Sequence, residues 1–215
     1  MTSPRISDST VRRLSVYLRL LRELAEEGRE IVSSRELAER SGTSPAQVRK
    51  DLSLFGSFGK RGRGYTVSEL EASLQGILGL GRRWRVALVG VGKIGSALLG
   101  YEDLARRGFD IVAAFDNDPD KVGRTMFGVD VTDMTELEPT LREREVEMAI
   151  VATPPEAAQG VADRLVETGV TGLLNFAPVK LDAPDGVAVR SMDVALEMEG
   201  LSFALSFDED AERSA

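Results

Sequence analysis

Trp84-Arg85-Val86-Ala87-Leu88-Val89-Gly90-Val91-Gly92-Lys93-Ile94-Gly95-Ser96-Ala97-Leu98-Leu99 decides how the second half of the chain folds. Its first six residues are apolar enough for a buried strand, and its last four suit a helix. Between them stands G-x-G-x-x-G in the strand–turn–helix setting that gives this motif meaning. Gly90 allows a tight turn, Gly92 lets the backbone reach a pyrophosphate, and Gly95 lets helix pack on strand. Val91, Lys93 and Ile94 complete the loop that would border the phosphates. The next strand, Ile111–Phe115, ends at Asp116, 21 residues after Gly95. An acid there accepts hydrogen bonds from an adenosine ribose and repels a 2′-phosphate, which favours NAD(H) over NADP(H). Lys121 and Arg124 soften that preference.

The βα alternation continues downstream. Val146–Ala152 reads as a strand, followed by Thr153-Pro154-Pro155 and a helix from Ala157 to Val166. Gly172–Asn175 is another strand, leading into Phe176-Ala177-Pro178, and Val187–Val189 is a last short one. The expectation is a Rossmann-type parallel sheet. Ligands in such sheets sit at the carboxyl ends of strands, so Thr153, Pro154, Asn175, Phe176, Ala177 and Pro178 are placed near a nicotinamide ring. From Asp193 a largely apolar helix follows, too apolar to be left in water.

Upstream of the glycine loop the charge changes sign. Residues 1–85 carry 16 Lys/Arg against 10 Asp/Glu, and residues 86–215 carry 11 against 25. A basic module on an acidic one fits a polyanion partner for the first part alone. Val11, Leu14, Leu18, Leu21 and Ala25 recur at helical spacing, and Gly28 stops the run. Ser33-x-x-Glu36 reads as a capping box opening a short helix. Ser41-Gly42-Thr43 is a tight turn. Ser44-Pro45-Ala46-Gln47 then supplies a cap and a proline at the first helical position, and Val48, Leu52 and Phe55 form the inner stripe. That is a helix-turn-helix, whose outer face offers Gln47, Arg49, Lys50 and Ser53, with Ser44 at its start, to bases and phosphates. Gly56–Val67 alternates glycines with Lys60, Arg61 and Arg63 and runs through Tyr65. It reads as the hairpin wing of a winged-helix domain, able to lie along a phosphate backbone. The domains expected are 1–80 (winged helix), 81–192 (Rossmann) and 193–215 (C-terminal helix and tail).

Composition excludes several chemistries. The chain has no cysteine and no histidine, so disulfides, thiol switches, histidine triads and most zinc sites are out of reach. No metal and no catalytic residue is expected. Any redox signal would have to arrive as a diffusible cofactor. No run approaches a membrane span or an apolar signal core, so a cytoplasmic protein is expected.

These residues resemble the redox-sensing transcriptional repressors of the Rex family over about residues 9–207. The stretches that carry the likeness are Tyr17-Leu18-Arg19, Gln47-Val48-Arg49-Lys50-Asp51-Leu52, Phe55–Tyr65, the Gly90–Gly95 loop and Asn175-Phe176-Ala177-Pro178. The run from Gln47 to Tyr65 is far more specific than any glycine loop. The resemblance implies a homodimer on palindromic double-stranded operator DNA, with each C-terminal helix exchanged into its partner. It implies release from DNA as NADH rises, with NAD⁺ competing for the same pocket. It also maps the family's inter-domain contact onto Arg19, Tyr101 and Asp193. The family commonly carries an aromatic residue beside the nicotinamide at about position 194. Val194 departs from that, which bears on how strongly NADH is preferred to NAD⁺.

Three rivals bound this reading. A dehydrogenase needs an acid or base beside the nicotinamide, and only Lys93, Lys180, Tyr101 or a carboxylate could serve. A substrate domain of normal size is also missing. A coenzyme-A-binding domain uses similar glycine loops, and Asp116 argues against it. An interaction scaffold would bind no duplex even at low salt.

Overall fold

The computed structural model describes residues 6–59 and 63–213. The chain forms two compact units that divide between Arg82 and Arg83.

The first unit opens with α1 (Asp8–Glu26), capped by the Ser7 hydroxyl, which accepts from the Thr10 amide at 3.3 Å. Its buried stripe, Leu14, Tyr17, Leu18, Leu21 and Leu24, returns every three to four residues as one helix face must. A two-residue strand β1 (Ile31–Val32) precedes α2 (Ser34–Ser41). The Ser33 hydroxyl caps α2 by accepting from the Glu36 amide at 3.1 Å. Gly42 ends it in the left-handed region at φ +66°, where glycine carries no Cβ penalty. After this turn α3 (Pro45–Ser53) begins at once, with Ser44 as cap and Pro45 in its first turn. Helix, glycine turn and capped helix are as the sequence predicts.

The wing differs from expectation. No strand forms in residues 56–59. Instead β2 (Tyr65–Thr66) pairs antiparallel with β1, Val32 opposite Tyr65 and Ile31 opposite Thr66. The reason is close backbone packing that only glycine permits. Gly64 sits at φ +80°, and a Cβ there would lie 2.6 Å from the Val32 carbonyl oxygen. A Cβ on Gly59 would overlap the Gly64 carbonyl oxygen. α4 (Val67–Ile77) closes the unit along α1 through Val67, Leu70 and Leu74.

The second unit strings together β3 (Trp84–Val89), α5 (Lys93–Leu99), α6 (Glu102–Arg106), β4 (Phe109–Asp116), β5 (Thr125–Met126) and β6 (Val129–Asp133). A 3₁₀ turn (Met134–Glu136) and α7 (Leu137–Glu143) follow, then β7 (Met148–Val151), α8 (Pro155–Glu167), β8 (Gly172–Asn175), β9 (Ala188–Ser191) and α9 (Val194–Arg213). The sheet order is β5-β6-β4-β3-β7-β8-β9. Every neighbouring pair is parallel except the β5–β6 edge hairpin. Setting that hairpin strand aside, the order is the 3-2-1-4-5-6 of the doubly wound Rossmann fold. The order reverses between β3 and β7, which places a crevice at their carboxyl ends. Strand β4 pairs with β3 through a bulge, Val86 facing Ile111 and Ala87 facing Ala113. The core joins Val89, Phe115, Ala149 and Val151 of the sheet to Leu137, Leu141, Ala158 and Leu165 of the helices. Among the described residues no helix is long and apolar enough to cross a membrane.

Candidate functional site

The glycine loop lies where the strand order reverses. Gly90 has φ +94°, and a Cβ on it would stand 2.5 Å from the Ala152 carbonyl oxygen. A Cβ on Gly95 would overlap the Gly90 carbonyl oxygen, so α5 rests directly on the turn. Above Gly92, by contrast, a Cβ would meet nothing within 4 Å. Two glycines are therefore needed by the fold, and the third opens the loop toward a cleft of about 750 Å³.

That cleft joins Gly90, Gly92, Lys93 and Ile94 with Asp116, Thr153 and Pro154. Asp116 is buried at the end of β4. Its Oδ2 accepts from the Val91 amide at 2.7 Å, and its Oδ1 accepts from the Asp118 amide at 2.9 Å. Lys121 Nζ donates to Oδ2 at 3.2 Å and lies 3.3 Å from Asp118 Oδ2. Burial pushes the Asp116 carboxyl up, but the two amides and Lys121 outweigh it and hold the group below the usual carboxylate range. The acid is thus ionised at neutral pH. Thr153 adds a buried polar group to the cleft. Among the described residues its Oγ1 is the buried side-chain polar atom without a hydrogen-bond partner, a state that folded proteins seldom leave unexplained.

The sequence reading left out part of this lining. Asn117, Asp118, Met134, Ala157, Val161 and Arg164 also border the cleft. Arg164 is anchored there by Glu138, Nε to Oε1 at 2.6 Å, and by the Met134 carbonyl at 2.7 Å. No local motif announces these residues, because separate elements deliver them. Val91 is buried beneath the loop and Ile94 is half exposed over the cleft.

Asn175 ends β8. It is fully buried, and its amide is occupied locally. Nδ2 donates to the carbonyls of Ala177 at 3.1 Å and Val179 at 2.7 Å, and Oδ1 accepts from the Ala177 amide at 2.9 Å. Its side chain builds the turn after β8 and does not border the cleft. Phe176 and Ala177 pack into the apolar clusters on the two sides of the sheet, and Pro178 is exposed. Asp193 caps α9, its Oδ1 accepting from Ala195 at 2.9 Å and Leu196 at 3.3 Å. Tyr101 precedes α6 and is exposed, and Arg19 is exposed on α1.

In the first unit a groove of about 690 Å³ runs between α2, α3 and the wing, lined by Ser33, Ser34, Arg49, Ser53, Gly56–Gly59, Gly64 and Tyr65. Arg49 and Lys50 are exposed beside it. Arg49 Nη1 donates to Ser34 Oγ at 3.1 Å. Three expected contacts are otherwise engaged. The Ser44 hydroxyl caps α3 by accepting from the Gln47 amide at 3.1 Å. Gln47 Nε2 donates inward to Asp51 at 2.8 Å. Tyr65 packs into the core, and burial pushes its hydroxyl pKa up. Ser53 Oγ donates to the Lys50 carbonyl at 2.8 Å, and Arg63 is exposed. Lys60 and Arg61 lie outside the described residues.

Comparison with known proteins agrees with both halves. Residues 5–53 match a family model described as a putative DNA-binding protein N-terminus, and residues 81–179 match one described as a CoA binding domain. The redox-sensing transcriptional repressor Rex of Syntrophobacter fumaroxidans is 44% identical over 96% of this chain and 99% of its own length. Rex of Carboxydothermus hydrogenoformans is 47% identical over 95% of this chain and 98% of its own. This chain belongs to the Rex family of redox-sensing transcriptional repressors. The crystal structure of RSP in complex with β-NAD⁺ and operator DNA superposes with a TM-score of 0.91 at 33% identity, covering 98% of this chain and 97% of that one. RSP in complex with β-NADH gives 0.88 at 32%, covering 99% and 100%. The Rex relatives are named as repressors, not as enzymes.

Proposed function

We propose that this Rex-family chain binds double-stranded operator DNA through its first unit and leaves it when NADH occupies the cleft of its second. The observation that carries the cofactor half is the buried, unpartnered Thr153 hydroxyl in a cleft that also holds the open Gly92 and the ionised Asp116. A dinucleotide fits these features together. The loop around Gly92 and Lys93 would take the pyrophosphate, Asp116 the adenosine ribose hydroxyls, and Thr153 a polar edge of the nicotinamide half. Coenzyme A and NADP(H) both carry a phosphate on that ribose, which an ionised Asp116 repels, so NAD(H) is the better occupant despite the CoA-binding description of the domain. The bound nicotinamide supplies the redox information. The chain's own residues bind it and convert occupancy into DNA affinity. NADH can do this only by its differential affinity for two arrangements of the protein.

The relatives' structures with operator DNA and with each form of the cofactor support this reading. Arg49, Lys50 and Arg63 are the exposed cations suited to the duplex. A homodimer with exchanged C-terminal helices is supported by α9 itself. At about 100° per residue, Val194, Met198, Leu201 and Leu205 form one apolar stripe, with Leu196 and Phe203 on the opposite side. All six are 53–68% exposed within a single chain. A helix apolar on two sides has to be enclosed, not merely laid on a surface. Arg19, Tyr101 and Asp193 would form the inter-domain switch of that dimer, and the cytoplasm would be its place of action.

The test begins by enriching a duplex from a random library with the full-length chain. That duplex is then titrated in the presence of NADH, NAD⁺, NADPH or coenzyme A. NADH should lower affinity by one to two orders of magnitude, a coupling of about 1–3 kcal/mol. An affinity indifferent to NADH overturns the sensor reading.

A further inference from the structure

Helices α1 and α3 meet over one buried carboxylate. Asp51, in the last turn of α3, has a side chain 1% exposed. Four hydrogen bonds converge on it. Arg13 Nε donates to Oδ2 at 2.6 Å and Arg13 Nη2 to Oδ1 at 2.8 Å. The Tyr17 hydroxyl donates to Oδ2 at 3.1 Å, and Gln47 Nε2 donates to Oδ1 at 2.8 Å. With two acceptor positions on each oxygen, the carboxylate is saturated. Arg13 also donates to the Thr10 hydroxyl at 3.2 Å, which meets the Ser7 hydroxyl at 2.9 Å, so the network reaches the cap of α1.

A buried ion pair is weak evidence for stability, since apolar residues of equal volume often hold as well. What a planar guanidinium fork adds is geometry. Arg13 and Tyr17 stand one turn apart on α1 and grip one point of α3. That restricts both the roll of α3 about its axis and its slide along α1. Gln47 lies one turn before Asp51 on α3 itself, the spacing at which helical side chains meet. An ionised carboxylate can only accept, so the Gln47 amide must face it with its nitrogen. Its plane is then fixed inward, away from the bidentate geometry by which glutamine reads adenine.

We infer that Gln47 is a positioning residue which, with Arg13, Tyr17 and Asp51, sets the angle at which α3 presents Arg49 and Lys50, and that it does not read a base. This rests on the DNA-binding reading of α3. The experiment compares the wild-type chain with Q47L, D51N and the double variant on the duplex enriched by the wild type. It then repeats the enrichment with Q47L. With Asp51 present, Q47L should weaken binding about tenfold, the scale of a hydrogen bond to a charged group. In the D51N background the same change should cost less than about twofold, because coupled residues are not additive. Q47L should enrich the same base sequence as the wild type, an outcome that does not depend on D51N folding. Equal losses in both backgrounds, or relaxed preference at one base position with Q47L, would overturn the inference. A wild-type chain that enriches no duplex would overturn the DNA reading itself, and the inference with it. That failure is seen before any variant is made.

Discussion

Among the described residues each unit buries one aspartate, Asp51 in the first and Asp116 in the second, and the two are held in opposite ways. Asp51 is gripped by side chains from two helices, and all four acceptor positions are filled. Asp116 is held chiefly by the backbone amides of Val91 and Asp118, and it lines the cavity between β3 and β7. Its Oδ1 accepts a single hydrogen bond, from the Asp118 amide, and so has a second acceptor position unfilled. Both carboxyls sit below their ordinary range, so titration alone does not separate them. The donors do. A carboxylate saturated by side chains fixes one helix against another. A carboxylate fixed by backbone and left partly open can still accept from a group that enters the cleft.

The strongest attempt to break this contrast is Asp51→Ala. It leaves the Arg13 guanidinium unpaired against a buried site, and losing one member of a buried pair costs about 3 kcal/mol or more. Thermal or urea unfolding of the first unit should show that loss, while NADH affinity measured by calorimetry on the full chain should not change. A drop in NADH affinity equal to that of Asp116→Ala would erase the distinction.

Next comes the alkaline limb. Tyr17 is fully buried, and burial followed by its hydrogen bond to Asp51 pushes its pKa up to about 12 from 10.0. The folded value lies above the unfolded one, so the neutral hydroxyl contributes stability that is complete below about pH 10 and lost as pH rises toward 12. Unfolding midpoints followed from pH 8 to 12 should fall in that window for the wild type and less steeply for Tyr17→Phe, which keeps the smaller contribution of the buried Tyr65 hydroxyl. The acid limb has the opposite sign. Asp51 and Asp116 contribute stability present above about pH 4, the unfolded value, and lost as pH falls through their lowered folded values.

A smaller effect is expected from Asp116→Ala, about 30-fold weaker NADH binding, the scale of hydrogen bonds to a charged group. Operator affinity without cofactor should stay unchanged, and so should first-unit stability. An Asp116→Ala chain that keeps wild-type NADH affinity would mean that Lys121, at 3.2 Å, already neutralises the acid.

How far all this was legible in the sequence follows the same division. Gly90, Gly95 and Asp116 could be read because their roles are local or set by one βαβ spacing. Ser33, Ser44 and Gly42 likewise act on their nearest turn. The wing could not be read correctly, because β2 pairs with β1 across more than thirty residues. Met134 and Arg164 reach the cleft only through the stacking order of the sheet. Gln47 and Asn175 show another limit, since both amides have partners within the fold. A polar residue within a motif looks the same whether its amide faces a ligand or its own backbone. For Gln47 the clue was present, since an acid four residues on is a natural helical partner.

Thr153 gives the finest test of which unit is built for a ligand. Its hydroxyl oxygen is buried without a partner, and leaving such a group unsatisfied costs about 1–3 kcal/mol. Thr153→Val keeps the shape and removes the hydroxyl. In the cofactor-free chain that should leave stability unchanged or raise it by up to about 1 kcal/mol. NADH binding should weaken by about three- to tenfold, because the partner supplied by the dinucleotide would be lost. Affinity would fall while stability holds or rises, which a purely structural threonine cannot produce. If Thr153→Val destabilises the free protein and leaves NADH affinity intact, the hydroxyl has a partner within the fold and the cleft loses its clearest mark of a ligand. Weaker NADH binding without lost stability would instead set Thr153 with Asp116, as a group the fold leaves open for the cofactor, in contrast to the closed network around Asp51.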